Sequence, residues 1–520
     1  LKVLKFRLFS KLEFSPHSRE PFMSLTTDAI VKQFPSVKHI HDAFDSKKLS
    51  VFELTQSFLK SASESRHNAY ITLCPELALE QARAAQVILE KEKKVPREKL
   101  PLLGIPLGIK DLIHRQGVRT TCASKVLENY IPPFSATAVS RLESAGAIVL
   151  GKLNLDEFGM GGSNENSAFG PVIHPTHPDR VPGGSSGGSA CAVRASLCFG
   201  ALGTDTGGSV RLPASYCGIV GLKPTYGRVS RYGLTAFASS LDQIGPMSRT
   251  VEDAALMLDV LSGHDPLDST SDLRGATQAR IALSREINWS ATRIGVPKEY
   301  FVEGLSAEVQ SSIEKSLQWF ESRGAKLVPV SLPLTPYVIS VYYLIAVSEA
   351  SSNLARFDGV RYGVRPLAAD HVKDLREFYT QVRGRFGAEV KRRIILGTFA
   401  LSSGYADDYY RLACQVRRKM TEDLQQAFRS VDFIASPVAP TTAYRLGEKS
   451  QDPLQMYLND IYTIPANLAG LPALSIPCGQ DRDGLPIGLQ LMAPHFQEEP
   501  LLAVGHALEQ WQKGESFHAS

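Results

Sequence analysis

The sequence predicts an α/β fold, a mixed central β-sheet covered on both faces by helices. Two textures and one absence point there. From 101 to 250, short apolar runs alternate with Gly/Ser-rich turns and modest helices, and a second such alternation begins at 293. No run approaches 18 consecutive apolar residues, so the apolar content serves a core and not a membrane span. With 43% hydrophobic and 21% charged residues, 40 Gly and 31 Pro, the composition excludes collagen, wholesale disorder and coiled coil.

The elements follow in order. Residues 50–65 read as a helix with Ser50 as N-cap and Val51, Leu54, Phe58 and Leu59 at helical spacing. Residues 76–94 read as a second helix. LLGIPLGIK (102–110) is strand-like, 136–146 an amphipathic helix ending at Gly146, and 147–152 a buried strand. Segments 195–205 and 218–225 continue the alternation, with a helix over 250–263. Residues 264–292 are polar and turn-rich and read as a surface excursion. A strand at 293–301 and a helix over 306–323 resume the α/β pattern, and 337–430 is mostly helical. Strands are expected at 432–438, 473–479 and 486–494, a loop over 439–457, and a last helix over 498–511.

The first 22 residues carry Lys2, Lys5, Arg7, Lys11 and Arg19 against Glu13 and Glu20. They read either as an organellar targeting segment or as residues ahead of a true start at Met23, and are set outside the fold in both cases. They hold most of the net charge of +4, so the remaining body is nearly neutral. That argues against broad phosphate-backbone binding by this chain alone. Seven scattered cysteines without a CxxC are expected to be free, mostly buried thiols in a reducing compartment.

The chemistry concentrates in 182–213, PGGSSGGSACAVRASLCFGALGTDTGGSVRLP. Two Gly/Ser clusters flank an apolar run. Inward-pointing amides of such a cluster make a nest for an anion. No GK[ST] follows, which excludes a P-loop. The amides of Thr206, Gly207 and Gly208 precede Ser209 and could hold an oxyanion beside a serine nucleophile. No GxSxG elbow is present, and His174 and His177 sit in a turn-rich HPTH context. A lysine can serve as base where a desolvated site favours its neutral form. GIKDLI places Lys110 at the end of a strand-like run; on its own, that is as well explained by pairing with Asp111.

GIKD with Lys110, GGSSGG with Ser185 and GTDTGGSVR with Ser209 lie 75 and then 24 residues apart. This set resembles the amidase signature family over roughly 50–510. The resemblance implies a Ser-cisSer-Lys triad: Ser209 as nucleophile, Ser185 as proton relay and Lys110 as base. It places the oxyanion amides on Thr206, Gly207 and Gly208, a cis peptide before Ser185, and a single domain over 23–515 with its signature core at about 101–250.

Three further blocks, 348–363, 386–410 and 457–479, resemble the A-subunit branch of that family, the tRNA-dependent amidotransferases. DEFGMGGSNENS, with Met160, Gly161 and Gly162, also fits and marks a substrate-binding turn. The branch implies glutamine as nitrogen donor. A pocket for free glutamine should supply one cation and one anion, and guanidinium suits the carboxylate. Arg392 or Arg393, with Arg393 slightly favoured, and Asp460 are the expected pair, with Tyr342 or Tyr343 near the amide. The branch implies no cofactor in this subunit. ATP and Mg²⁺ belong to a partner, GatB, which contacts the tRNA; a third subunit, GatC, completes a heterotrimer. No membrane association is expected. The implied location is the cytoplasm, or a mitochondrion or plastid if residues 1–22 are a targeting segment. The alternatives are a stand-alone amidase acting on other amides and a non-catalytic subunit that keeps the fold.

Overall fold

In the computed structural model, residues 26–92, 97–301, 304–366, 372–449 and 453–514 are described. The basic segment 1–22 and the two ends of the expected domain lie outside them. Eleven strands form one sheet. In chain order they are β1 (Tyr70–Leu73), β2 (Pro106–Lys110), β3 (Ile148–Leu153), β4 (Gly200–Asp205), β5 (Val220–Lys223) and β6 (Gln243–Ser248). Then come β7 (Arg293–Pro297), β8 (Lys326–Val330), β9 (Phe433–Pro437), β10 (Ala473–Gln480) and β11 (Pro486–Met492). Their spatial order is β1-β3-β2-β4-β6-β5-β10-β11-β9-β7-β8.

The sheet is mixed, as its sequence texture requires. β3, β2 and β4 are mutually parallel, with Leu107 opposite Val149 and Ile109 opposite Leu202. The middle, from β4 to β9, is antiparallel throughout, and β9, β7 and β8 are parallel again. Every residue of β2, β3 and β4 is buried, which explains why these strands read as short apolar runs without alternation. Because these three strands run the same way, their C-terminal ends share one edge. That edge carries Lys110, the turn after β3 and the Gly-rich loop after β4.

Most predicted helices form as read. Val51–Glu64 begins at Ser50 with a full capping box, Ser50 Oγ accepting from Glu53 N while Glu53 takes the Ser50 amide. Helices also occupy Thr137–Ser144, Val251–Leu261, Ala307–Ser322 and Glu498–Gln512. The expected loop over 439–457 is corrected at its end, where Pro453–Tyr457 is a short helix. Strands β1, β6 and β8 were not anticipated. The seven cysteines are free, and four of them are buried.

Two cores meet at the β2–β3–β4 edge. One packs helices against the sheet. The other packs Leu112, Phe158 and Met160 of the edge loops against Tyr342, Phe357, Phe386 and Val390 of an all-helical layer. That layer consists chiefly of Val338–Leu354, Ala388–Ala400 and Leu412–Ala427. The candidate site lies between the two cores. Among the described residues, no helix is long and apolar enough to cross a membrane.

Candidate active site

Lys110 ends β2 and is fully buried. Its Nζ lies 2.8 Å from three hydroxyls, those of Ser185, Ser186 and Thr204. Burial pulls its pKa from 10.5 to about 7, against the opposing pull of Asp156, Asp205 and Asp242. A lysine in this state is substantially neutral at physiological pH and can accept a proton. The neighbouring Asp111 does not pair with it. That carboxylate binds the buried Lys152 at 2.9 Å, so the simple strand-end pairing of Lys110 with Asp111 is excluded.

The peptide between Gly184 and Ser185 is cis, as the family resemblance implies. The GGSS loop is braced from the turn after β3. Asp156 N donates to Ser185 O at 3.2 Å, and Gly184 N donates to Gly162 O at 2.9 Å. The Asp156 carboxylate accepts from Asn164 N and Asn166 N. Any Cβ at Gly184 would lie 2.0 Å from Asp156 Oδ2, so only glycine permits this approach. Met160, Gly161 and Gly162 form part of the same turn; Met160 is buried in the second core.

Ser209 lies on the loop after β4, joined to the GGSS run by Ser186 N donating to Ser209 O at 3.2 Å. Its shape is imposed by Asp205, which accepts from Gly208 N, Val210 N, Asn467 Nδ2 and both Nε and Nη2 of Arg211. Burial opposes ionisation of Asp205, but the Arg211 guanidinium holds it well below the usual carboxylate range. Thr206 Oγ1 donates to Asp242, and Thr463 Oγ1 donates to Gly207 O. Gly208 therefore departs from the expected oxyanion set. Its amide is engaged by Asp205 at 2.9 Å, which leaves the backbone amides of Thr206 and Gly207 from that set.

The helical layer supplies the opposite wall. The Tyr342 ring sits over Gly207, where an added Cβ would come within 2.6 Å of its hydroxyl. Tyr343 instead stacks on Tyr457 with centroids 3.9 Å apart. Arg393 is buried, its guanidinium within 5.6 Å of the ring centroids of Phe237, Tyr343 and Tyr457. Its Nε donates to Glu389 at 2.8 Å. Arg392 is 45% exposed, and its Nη1 also donates to Glu389. The structure thus separates two residues that helix phase could not. Asp460 closes a 3-10 turn at Leu458–Asp460, and its carbonyl accepts from Thr463. Burial lifts its carboxyl to about 8, with Arg393 pulling the other way.

The chain as a whole has known relatives. The Amidase family model matches residues 53–502. The chain belongs to the amidase family. It is 53% identical over 470 residues to the A-subunit of the glutamyl-tRNA(Gln) amidotransferase of Koribacter versatilis, covering 90% of this chain and 96% of the relative. The corresponding protein of Acidobacterium capsulatum is 55% identical, covering 86% and 92%. Among solved structures, the A-subunit of the glutamyl-tRNA(Gln) amidotransferase of Thermotoga maritima is 40% identical with a TM-score of 0.72, covering 94% of this chain and 95% of that one. The peptide amidase of Stenotrophomonas maltophilia is 29% identical with a TM-score of 0.77, covering 92% and 97%.

Within this amidase frame, sequence reasoning missed several groups. Ser186 and Thr204 complete the hydroxyl cage of Lys110, yet both stand in the quoted motifs. Arg211 is the arginine of GTDTGGSVR, and its place in the same motif as the acidic Asp205 was the available signal. Glu389 and Asn467 stand within the blocks 386–410 and 457–479 with nothing to mark them apart, and Gln490, which accepts from Arg211 Nη1, carried no signal. His174 is a buried loop residue bonded to Tyr216 O, in keeping with its HPTH context.

Proposed function

We propose that the chain is the glutamine-hydrolysing A-subunit of a tRNA-dependent amidotransferase, using Ser209, Ser185 and Lys110 as its catalytic residues. The observation that supports it most is a buried Arg393 and, near it, Asp460, whose carbonyl accepts from the Thr463 that bonds Gly207 of the serine loop, in a chain so similar to A-subunits of glutamyl-tRNA(Gln) amidotransferases. Neutral Lys110 takes the Ser185 hydroxyl proton as Ser185 takes that of Ser209. Ser209 Oγ then bonds to the side-chain carbonyl carbon of glutamine. The Thr206 and Gly207 amides stabilise the oxyanion, each such donor being worth about 3–4 kcal/mol in comparable sites. Collapse breaks the C–N bond, the proton returns through Ser185, and ammonia leaves. Water, deprotonated by the same relay, releases glutamate from Ser209.

Arg393 holds the α-carboxylate of glutamine and Asp460 its α-ammonium, while Tyr342 lies over the reacting amide. Ammonia then serves a partner, GatB, where ATP and Mg²⁺ activate misacylated Glu-tRNA(Gln) or Asp-tRNA(Asn), with GatC completing the assembly. The nearly neutral body of this chain supports leaving tRNA contact to the partner.

The test is glutaminase activity of the purified chain with and without the two partners, against a panel of peptide and aryl amides. Glutamine hydrolysis that requires or is raised by the partners supports the reading. Turnover of other amides by the chain alone, with glutamine untouched, would establish a stand-alone amidase instead.

A further inference from the structure

Glu157 adjoins Asp156 in the turn after β3, but its side chain leaves the serine loops and crosses to the helical layer. The helix Ala388–Ala400 starts at Gly387, which has no side chain to cap it. The amide of Gly387 itself finds its acceptor outside the helix. Gly387 N donates to Glu157 Oε2 at 2.7 Å, while Ser124 Oγ donates to Glu157 Oε1. Glu157 is itself buried, and its own amide donates to Asn166 O at 3.0 Å. The approach is close: a Cβ at Gly387 would lie 2.3 Å from Glu157 Oε2.

Two residues beyond Gly387, Glu389 binds Arg393 Nε and accepts from the Tyr457 hydroxyl at 2.8 Å. Arg393 lies six residues from Gly387, less than two helical turns. One carboxylate therefore joins the turn that braces Ser185 to the start of the helix that presents Arg393.

We propose that Glu157 is a positioning residue for glutamine: it fixes the start of the Ala388–Ala400 helix relative to the serine loops and so sets where Arg393 meets the substrate carboxylate. The inference rests on the reading of the chain as a glutamine hydrolase. A carboxylate suits the place, because it both accepts the end amide and complements the positive end of the helix. The charged groups around it are Lys125, Glu165, Arg385 and Glu389, which share its cleft, and Lys391 one turn into the helix. Burial lifts the Glu157 carboxyl to about 7, against the Ser124 and Gly387 hydrogen bonds and Lys391. These partners offset only part of the cost of burying a charge there.

The test uses the assembled amidotransferase with glutamine and, separately, ammonium as nitrogen donor. Loss of a helix cap corresponds to roughly five- to tenfold in an equilibrium. Glu157→Ala is expected to raise glutamine KM by about that factor, with kcat for glutamine and the ammonium-driven rate little changed. Glu157→Gln keeps an acceptor for Gly387 N and should stay within about threefold of wild type. Gly387→Ala, which pushes a methyl against the carboxylate from the other side, should again raise KM and covers the case in which Glu157→Ala does not fold. A wild-type KM in Glu157→Ala, or in Gly387→Ala should Glu157→Ala not fold, overturns the proposal. So does a loss that falls on kcat and the ammonium reaction as well. Absence of glutamine hydrolysis in the wild-type assembly would instead overturn the functional reading beneath it.

Discussion

The β2–β3–β4 edge and the helical layer facing it hold polar groups in opposite ways. At the edge, Lys110, Ser185, Ser186 and Thr204 are buried and locked by mutual hydrogen bonds, and the buried Asp205 holds the loop beside them, with glycines allowing contacts that no side chain would. Removing one member leaves the others unsatisfied. Across the cleft, Arg393 rests on aromatic rings and a single carboxylate, on a helix whose outer face exposes Ile395, Leu396 and Phe399. On the proposed function, the edge should tolerate no displacement, whereas losses on the helical wall should be graded.

The sharpest way to break this comparison is at the nucleophile. Ser209→Ala and Lys110→Ala should each lower glutamine hydrolysis by about a thousandfold or more, since members of a catalytic unit fail together. The fold should survive, and the assembled enzyme should still use ammonium. Single-turnover assays with both donors decide it; activity within tenfold of wild type in Ser209→Ala would end the assignment.

On the facing wall the loss should appear in binding. Asp460→Ala and Arg393→Ala each leave a ligand charge unpaired, about 2–5 kcal/mol, or roughly 30- to several-thousand-fold in glutamine KM. Arg393→Lys should rescue only in part, because an ammonium cannot reproduce the guanidinium fork. Arg392→Ala, which removes a largely exposed side chain, should change KM by less than about threefold. Steady-state kinetics on the four variants check this, and a larger effect at Arg392 than at Arg393 would reverse the assignment made from burial.

A pH profile separates the two regions again. Lys110 titrates near 7 because it is buried, and only its neutral form accepts a proton. The glutamine kcat, measured at saturating glutamine so that the ionisation of Asp460 near 8 does not enter, should therefore fall about tenfold per pH unit below about 7 and level off above it. Ammonium-driven amidation, corrected for the ammonia fraction, should lack that acid limb. A flat glutamine profile between pH 5.5 and 7 would mean that Lys110 is not the base.

Legibility followed the same divide. The edge site was readable because its parts are contiguous motifs: Lys110 at the C-terminal end of β2, the GGSS run between β3 and β4, and the Gly-rich loop after β4. Its hydroxyl cage was not, since Ser186 and Thr204 differ from ordinary loop residues only once folded around Lys110. On the helical wall, Arg392 and Arg393 are neighbours whose helix is apolar on more than one side, so phase could not tell which faces inward; the structure packs Arg393 against Tyr343 and Tyr457. The unread strands have local reasons too. β1 and β8 are the two ends of the sheet and mostly half-buried, and β8 carries Pro329. β6 is internal, yet contains Gly245 and Pro246, which argue against a central strand in sequence alone.

The finest distinction lies at Tyr457, where one hydrogen bond can be removed with the packing left in place. Its hydroxyl donates to Glu389 Oε1 at 2.8 Å, its ring stacks on Tyr343, and Arg393 lies over it at 5.5 Å. Tyr457→Phe keeps the stack and the cation–π contact and loses only the bond to the carboxylate. The net worth of such a bond is about 1.5–3 kcal/mol at most, and less here because Glu389 keeps both arginines. A rise of about three- to tenfold in glutamine KM is expected, with kcat and the ammonium reaction unchanged. An effect confined to KM would mark this wall as a place where binding can be tuned by single hydrogen bonds. A collapse of kcat would show that the wall is as tightly coupled to the chemistry as the edge, and the contrast between the two regions would fail.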